Sequence, residues 1–557
     1  MNFYREDPNL RFILKQYLSE DLFAYAEKQL DTFGALCGTE IDERAMHTDR
    51  EGQPRLIKYD KMGNDISHVW LNEGYKKTIA QTYQTGIVAY VHKDIPELKR
   101  KGNYMYSYAQ GYLLSQTEPG FYCPVTLTMA TAYLLDRYGE EELKRKYLPH
   151  VISTGETELY EGATFLTERQ GGSDVGSNEV KAIYESGGYR IYGEKYFASN
   201  AGACGVAMVL ARREDAIPGT KGLSLFLIPW RKESGELNNL EIRRLKDKLG
   251  VRAVPSGEVV FHGAEAFLVG DADKGFYYMM EALNLSRVCN AVASIGIMQR
   301  AFSEAKKYAF NRQTFGSYLA DFPMVKETLA KLASKQEVET SAVFSLISDF
   351  DKVMSASEIC SKEEEAMNRL LIALLKMETA EQAIHFSHEA IELHGGNGYI
   401  EDFVTPRLLR DAQVLTVWEG TANILGLEVL RLIKKYGVHQ LFMQHIKDEL
   451  NKLPDDLKTY ADPIETGLVQ LNKLLLALSS GNEDMQTYHC KRAAKLMVRL
   501  YESIIALKDA AIGGSRKEII ARIFLNDTWR LTEHVDDEML AVKHFEEILH
   551  VNQKVGV

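Results

Sequence analysis

One carboxylate in the chain stands where it could act as a base, in the segment Trp418-Glu419-Gly420-Thr421. Apolar and small residues flank Glu419, and such neighbours reduce the hydration of a carboxylate. Reduced hydration disfavours the charged form of a carboxyl group and moves its pKa towards the range of a general base. The same segment also suits a surface turn, with a solvated Glu419 and with Gly420 allowing the bend. From these residues alone, both interpretations stay open.

Two stretches in the middle of the chain carry hydrogen-bond donors of a kind that binds anions or polar ring edges. The segment from Leu166 to Ser173 runs from a strand-like start into a Gly-Gly turn with hydroxyls on both sides. Its N–H and O–H groups could meet a ligand, although an ordinary β-turn explains the glycines equally well. On a strand, the side chains of Phe197 and Ser199 would face the same way. Together they could supply an aromatic wall and a hydrogen-bond donor to a ligand. A packed core aromatic is the commoner use of such a phenylalanine.

Two further candidates lie in the helical part of the chain. Arg312, in Asn311-Arg312-Gln313-Thr314-Phe315-Gly316, could clamp a phosphate or be an exposed cation at a helix end. His394-Gly395-Gly396 opens a glycine-rich loop, which is no Rossmann fingerprint because no strand precedes it. His385 and His388 precede this loop but lack a convincing set of carboxylates, so no metal site is predicted.

The composition indicates a soluble, cytoplasmic, multidomain protein. The 557 residues are enough for about three or four domains. A net charge of −12 argues against bulk attraction to nucleic acid or anionic membranes. The six cysteines are scattered without a CxxC pair, as in a reduced compartment. No apolar run reaches the length of a membrane span, and the first residues resemble neither a signal peptide nor a transit peptide.

The spacing of apolar residues and glycines divides the chain into four segments. Residues 1–160 are predicted to be mostly helical, by helical spacing of apolar residues. Residues 161–275 alternate glycines with short β-favouring runs and are predicted to form a compact β domain. Long helices return over residues 276–435, and residues 436–557 form a further helical segment. We therefore expect an α+β chain of four domains.

The last segment has three local signals of its own. A capping box at Ser515–Glu518 predicts the start of a final set of helices. An apolar stripe at helical spacing is formed by Leu468, Leu471, Leu475 and Leu478. A basic helix face is formed by Lys491, Arg492, Lys495 and Arg499.

Each motif is weak alone, but their order resembles the acyl-CoA dehydrogenase family of flavoproteins. The resemblance is good over about residues 110–435, and a preceding helical segment, YGEEELKRKYLP, also matches the family's N-terminal domain. The ordered motifs are FLTERQGGSD, KYFASN, RQTFG, LHGGNGY and RDAQVLTVWEGTAN. The resemblance implies an N-terminal helical domain, a middle β-barrel-like domain and a C-terminal four-helix bundle. The additional C-terminal helices resemble the long, AidB-like branch associated with the alkylation response.

The resemblance implies a chemical role for Glu419. In that family the residue at this position is the base that removes the pro-R α-proton of an acyl-CoA thioester, while the β-hydride passes to N5 of FAD. The enolate-like charge would be stabilised by the backbone N–H of the base and a ribityl hydroxyl of FAD. Some members place the base on the helix that here contains Arg287, but the position before Arg287 is Ser286, which cannot serve.

The resemblance also implies ligand contacts and partners. Ser173 and Arg287 are the implied substrate contacts. FAD shared between subunits would require a homodimer or homotetramer, and an electron-transfer flavoprotein is the expected acceptor in fatty acid β-oxidation. The implied FAD contacts are Leu166, Thr167, Ser173, Phe197, Ser199, Arg312, Thr314, Phe315, Gly395, Gly396, Thr421 and Asn423.

Three departures from the family pattern and two alternative functions accompany this prediction. Phe197 replaces a common tryptophan, and Pro323 and Glu392 replace glutamines, so amide and indole donors to FAD are lost. An acyl-CoA oxidase stays open, because oxygen reactivity depends on pocket properties that no motif reports. A DNA-binding flavoprotein would use the basic face near the C-terminus. Acidic residues outnumber basic ones by three over residues 441–557, so DNA binding is not predicted.

Overall fold

The first part of the chain is helical, with two short hairpins inserted. The computed structural model describes residues 1–355, 360–531 and 539–550. Helix prediction missed the hairpin of β1 and β2, whose strands are short and carry no long apolar run. The elements are α1 (Pro8–Tyr17), α2 (Glu20–Leu36), α3 (Asp42–Arg50), β1 (Arg55–Tyr59), β2 (Asp65–Trp70), α4 (Glu73–Gln84), β3 (Asp94–Ile95), β4 (Arg100–Lys101), α5 (Tyr104–Ser115), α6 (Pro119–Tyr138) and α7 (Glu141–Val151).

Seven strands follow and form one sheet that closes on itself. Five of them make a ring in the order β11, β7, β6, β8 and β9, with β9 pairing back to β11. The other two join at the side, β10 on β11 and β5 on β8. This is the β-barrel-like middle domain that the sequence predicted. The strands are β5 (Gly162–Phe165), β6 (Lys181–Glu185), β7 (Gly188–Ser199), β8 (Val206–Arg213), β9 (Leu223–Pro229), β10 (Leu240–Leu245) and β11 (Ser256–Leu268).

Apolar side chains fill the interior of this barrel. The core includes Phe165, Phe226, Trp230 and Phe261, all nearly inaccessible to solvent. Full burial of an apolar side chain of this kind contributes about 1.5–3 kcal/mol. The rigid core holds the ends of β5 and β7, which carry the candidate ligand contacts of this domain.

Long helices make up the next part of the chain. The helix α10 packs against both α9 and α12, and Gln336 of α9 donates to the carbonyl of Ile295 on α8 at 3.1 Å. A Ser361–Glu364 capping box starts α10. The elements are α8 (Gly275–Asn311), β12 (Gln313–Thr314), β13 (Ser317–Tyr318), α9 (Pro323–Met354), α10 (Lys362–His394), α11 (Thr405–Leu415) and α12 (Ala422–Tyr436).

The C-terminal extension is helical, as predicted, and the apolar stripe on α15 is buried. The predicted helix start at Ser515 lies at a break in α16, where Gly514 has φ +72°. Ser515 does not cap the following turn and instead donates to Glu547 at 3.1 Å. No helix among the described residues is both long and apolar enough to cross a bilayer. The helices are α13 (Val438–Lys452), α14 (Asp455–Lys458), α15 (Asp462–Ser480), α16 (Glu483–Trp529), α17 (Leu540–Lys543) and α18 (Phe545–Ile548).

The described residues group into two units that do not follow the chain order. The first unit contains residues 1–8 and 18–289, and the second contains residues 9–17 and the described residues from 290 onwards. In the second unit, Lys517 Nζ donates to Asn9 Oδ1 at 2.5 Å and lies 4.7 Å from the Phe12 ring centroid. The amino-terminal helix thus packs with helices from the other end of the chain. The four-domain division expected from sequence stays a prediction.

Candidate active site

Glu419 lies in the turn between α11 and α12, in the second unit. Thr421 occupies the N-cap position of α12, and Thr421 and Asn423 are exposed at the first turn of that helix. The backbone of Glu419 is left-handed, with φ +55°, and Gly420 follows with φ +110°. A left-handed conformation costs a non-glycine residue roughly 1–2 kcal/mol and persists only where the surroundings hold it.

A buried amide holds the carboxylate of Glu419. Asn290 on α8 donates from Nδ2 to Oε2 of Glu419 at 2.8 Å and to the carbonyl of Leu415 at 3.2 Å. Asn290 is 5% exposed, and its Oδ1 accepts no hydrogen bond from the part of the chain that the structure describes. Glu419 itself is partly buried, so its carboxylate is not fully solvated in this turn. Sequence reasoning missed Asn290, although an amide inside the apolar run 288–293 was a usable signal.

The Arg312 motif forms a tight hairpin after α8. β12 and β13 pair antiparallel, and the two turn residues, Phe315 and Gly316, have φ +50° and +84°. Two consecutive positive φ angles are typical of the two-residue turns that match strand twist. Arg312 is exposed, Thr314 is partly buried, and the Phe315 ring at the tip is 95% exposed. The hairpin therefore presents a cation and an aromatic ring to solvent in this unit.

The glycine-rich loop after α10 is tied to the helix that precedes this hairpin. The His394 ring stacks on Tyr308 with centroids 4.2 Å apart, and Asn397 donates to the Tyr308 hydroxyl at 3.0 Å. Gly395 and Gly396 are exposed, and a side chain added at either would meet no atom within 4 Å. The open backbone at these glycines leaves room for a ligand to approach. The structure thus brings together two of the predicted FAD segments through Tyr308.

In the first unit, a buried ion pair shapes the loop that follows β5. Lys195 on β7 is completely buried and donates to Glu168 at 2.8 Å and to the carbonyl of Leu166 at 3.1 Å. Glu168 in turn accepts from the backbone N–H groups of residues 179 and 180. Burial lowers the pKa of Lys195 to about 8. These contacts fix the backbone while Ser173 stays exposed and Thr167 partly exposed.

Phe197 and Ser199 lie at the end of β7 with their side chains accessible. The Phe197 ring is 58% exposed, so it is not the packed core aromatic that such a residue usually is. Lys246 lies 5.0 Å from its centroid and 3.3 Å from that of Tyr196, within the range of cation–π attraction. Ser199 is partly exposed. An exposed ring beside accessible hydroxyls suits a planar aromatic ligand.

Arg287, the implied substrate contact, is mostly buried in the first unit. Its Nη1 donates to Asn284 Oδ1 at 3.2 Å, one helical turn earlier on α8. Ser286 is also buried, and its side chain has no carboxylate that could act as a base. Arg287 is therefore a cation with 5% of its surface exposed, and one of its contacts is within its own helix.

Comparison with known proteins decides the family. Residues 1–155 match the adaptive response protein AidB N-terminal domain, residues 163–264 the acyl-CoA dehydrogenase middle domain, and residues 273–433 the acyl-CoA dehydrogenase C-terminal domain. Acyl-CoA dehydrogenase family member 11 of Caenorhabditis elegans is 32% identical over 92% of this chain and 84% of its own length. The chain belongs to the acyl-CoA dehydrogenase family. It is an oxidoreductase of the long, AidB-like form.

Solved structures of acyl-CoA dehydrogenase family members share the fold. The crystal structure of Caenorhabditis elegans ACDH-11 in complex with C11-CoA matches with a TM-score of 0.87 and 28% identity, over 99% of this chain and 95% of that one. An acyl-CoA dehydrogenase from Bacillus anthracis complexed with FAD matches with a TM-score of 0.74 over 96% of both chains. At 19% identity, that second likeness concerns the fold alone.

The basic face of the C-terminal extension is partly occupied by internal contacts. Lys495 pairs with Glu381 at 2.8 Å, and Arg492 lies 4.7 Å from the Tyr488 ring centroid. Lys491 packs its stem over Gly426 of α12. Lys495 is thus ion-paired, while all four cations of this face are exposed.

One group of three carboxylates in the second unit has the spacing of metal ligands. Ligand oxygens of Glu339, Glu378 and Glu502 lie within 4.8 Å of one another, and no other such group occurs in the described ranges. The ammonium of Lys335 lies 2.8–3.2 Å from all three and already supplies a cation there. The histidines of α10 form no such group within the described chain, and His385 is 3.9 Å from Glu389.

Proposed function

We propose that this chain is an FAD-dependent acyl-CoA dehydrogenase that converts an acyl-CoA thioester to the 2-enoyl-CoA, with Glu419 as the base. The observation that carries the proposal is the Asn290–Glu419 hydrogen bond of 2.8 Å on a left-handed turn. Backbone strain concentrates at functional sites, so a strained turn whose carboxylate is held by a buried amide supports the proposal. The family of the chain supports the reaction class.

FAD is the cofactor of this proposal, and the exposed groups fit it. In the first unit, the Phe197 ring and the donors of Thr167 and Ser173 are accessible for a ring system. In the second unit, Arg312 suits a pyrophosphate, because a guanidinium offers paired donors to phosphate oxygens. The remaining proposed contacts are Leu166, Ser199, Thr314, Phe315, Gly395, Gly396, Thr421 and Asn423.

When bound, FAD supplies the hydride acceptor. Glu419 takes the α-proton onto its carboxylate, and the Nδ2 donor of Asn290 orients that carboxylate and favours its charged form. The backbone N–H of Glu419 is the proposed donor to the thioester carbonyl oxygen, where negative charge develops. Arg287 and Ser173 are the proposed contacts to the rest of the substrate. The acyl-CoA loses its α-proton to Glu419 and its β-hydride to the acceptor, which leaves the 2-enoyl-CoA and a protonated Glu419 that must lose its proton before the next turnover.

The decisive experiment is anaerobic reduction of the bound flavin by a panel of acyl-CoAs. The panel includes an eleven-carbon chain, because ACDH-11 was crystallised with C11-CoA. We expect one acyl-CoA to bleach the oxidised flavin, and Glu419→Gln to slow the bleaching by at least about 10³-fold. Glu465→Gln is the matched control, since Glu465 is an exposed residue of α15. Absence of bound flavin, or full-speed bleaching in Glu419→Gln, would refute the assignment.

The electron acceptor and the assembly are part of the same proposal. We expect an electron-transfer flavoprotein to reoxidise the enzyme, and we expect a homodimer or homotetramer. Turnover in air with stoichiometric hydrogen peroxide would instead identify an acyl-CoA oxidase. Light scattering after size-exclusion chromatography measures the number of subunits, and a monomer that retains flavin would contradict shared FAD binding.

A further inference from the structure

A buried lysine reaches the peptide unit that follows Glu419. Lys376 lies in the middle of α10 and is 1% exposed. Its Nζ donates to the carbonyl oxygen of Gly420 at 2.7 Å. This contact joins residues that are 44 positions apart in the sequence, so no local pattern reports it.

Lys376 lies in a buried stretch of α10. The adjacent Leu374, Leu375 and Met377 are all buried. Removing an ammonium group from water is costly unless hydrogen bonds compensate for the lost hydration. A methionine would fill similar space without that cost. Donation to the Glu419–Gly420 turn is an interaction that lysine makes here and methionine could not.

That turn needs support from outside. Glu419 has φ +55°, a conformation that a non-glycine residue does not adopt without compensation, whereas Gly420 adopts its φ of +110° without steric cost. Asn290 of α8 holds the carboxylate of Glu419, and Lys376 of α10 holds the next carbonyl. Two buried donors from two helices thus hold the turn at its side chain and at its backbone. The charge-assisted bond from an ammonium is about twice as strong as a neutral one.

We infer that Lys376 is a positioning residue for the base: by holding the Gly420 carbonyl it keeps the Glu419 turn left-handed and the carboxylate in place. The inference rests on the proposed function, because only then is Glu419 a base. Lys376 acts through the backbone and contacts the turn rather than the reacting atoms. The consequence is that Lys376 affects the rate of proton removal more than the binding of the acyl-CoA.

The test compares Lys376→Met with Lys376→Arg in two measurements. The first is hydrogen–deuterium exchange of residues 414–424 in the flavin-free protein, where Lys376→Met is expected to accelerate exchange about 10-fold. The second is the anaerobic rate of flavin bleaching. We expect Lys376→Met to lower this rate about 10- to 100-fold while the Kd for acyl-CoA changes less than about 3-fold. Lys376→Arg, which keeps a charged donor, is expected to recover most of the rate.

Lys335→Met is the matched control, because it also removes a buried ammonium from the helical unit. It is expected to lower stability but to leave the exchange of residues 414–424 and the bleaching rate of the folded enzyme unchanged. Wild-type exchange and bleaching in Lys376→Met, or equal slowing in Lys335→Met, would overturn the inference. If Lys376→Met does not fold, Lys376→Gln is measured in the same way, and wild-type exchange there also overturns it. Full activity in Glu419→Gln would instead refute the proposed function, whatever Lys376 does.

Discussion

Replacing Lys335 by methionine removes the ammonium from a buried group of three carboxylates. Lys335 Nζ lies 2.8 Å from Glu339, 3.2 Å from Glu378 and 2.9 Å from Glu502, which come from α9, α10 and α16. The side chains of Glu339 and Glu502 are completely inaccessible. If all three acids are ionised, three negative charges face one positive charge, an excess of two. The group is therefore stable only with its ammonium present and with protons on some of its carboxyls.

The protonation of these acids sets the size and the pH dependence of the effect. Burial raises the pKa of Glu339 and of Glu502, against the attraction of Lys335. Glu378 keeps a lowered pKa, because Lys335, Gln382 and Lys495 outweigh its burial. Removing one partner of a buried ion pair costs about 3–5 kcal/mol. We expect a loss of this size for Lys335→Met at pH 8, where the acids tend to ionise. A carboxyl group whose pKa is raised in the folded state stabilises the fold at low pH, and that stabilisation is lost as the pH rises through the raised pKa. The free-energy cost of Lys335→Met should therefore be smaller at pH 5.5.

Urea unfolding followed by far-ultraviolet circular dichroism at pH 5.5 and pH 8 measures this cost. A loss of this size corresponds to a fall in Tm of roughly 6–15 °C for a unit of this length. Glu502→Gln is the matched variant, because it removes a negative charge and keeps the shape. We expect it to be neutral or stabilising at pH 8. A Lys335→Met cost below about 1 kcal/mol, or one that is the same at both pH values, would refute the reasoning.

Three further predictions concern the candidate site and the first unit. Burial raises the pKa of Glu161 from 4.5 to about 7, so the neutral acid adds stability below pH 4.5 that is lost as pH rises through 7. In Glu161→Gln, the decrease in the free energy of unfolding between pH 5 and pH 8 should therefore be smaller by roughly 3 kcal/mol. Urea unfolding at several pH values measures this decrease, and an unchanged pH dependence would contradict the assignment. Lys195→Met leaves Glu168 buried without its ammonium, and we expect a loss of about 3–5 kcal/mol together with a lower flavin content after purification. Arg312→Ala changes an exposed residue, so Tm of the flavin-free protein should stay within about 1–2 °C while the Kd for FAD rises at least about 10-fold. Unchanged FAD affinity, measured by fluorescence titration, would remove Arg312 from the proposed contacts.

The sequence by itself determined the family and the order of the domain types. Helical spacing and glycine-separated β runs are local properties, so the helical regions and the β-rich middle domain could be predicted from them. The ordered motifs, ending in Trp418-Glu419-Gly420, indicated the acyl-CoA dehydrogenase family because each motif is contiguous in the chain. Glu419 was predictable as a candidate base for the same reason. The role of each site residue stays a prediction.

Only the tertiary structure decided which side chains hold Glu419 and its turn. Asn290 meets Glu419 across 129 positions, and Lys376 meets Gly420 across 44. Such partners depend on how helices pack, and neither periodicity nor a contiguous motif records helix packing. The same holds for the barrel, which closes only when β9 pairs back to β11, and for α1, whose Asn9 meets Lys517 from the opposite end of the chain. The sequence therefore predicted Glu419 as the reacting group, whereas the packing of distant segments determined what holds Glu419 in place.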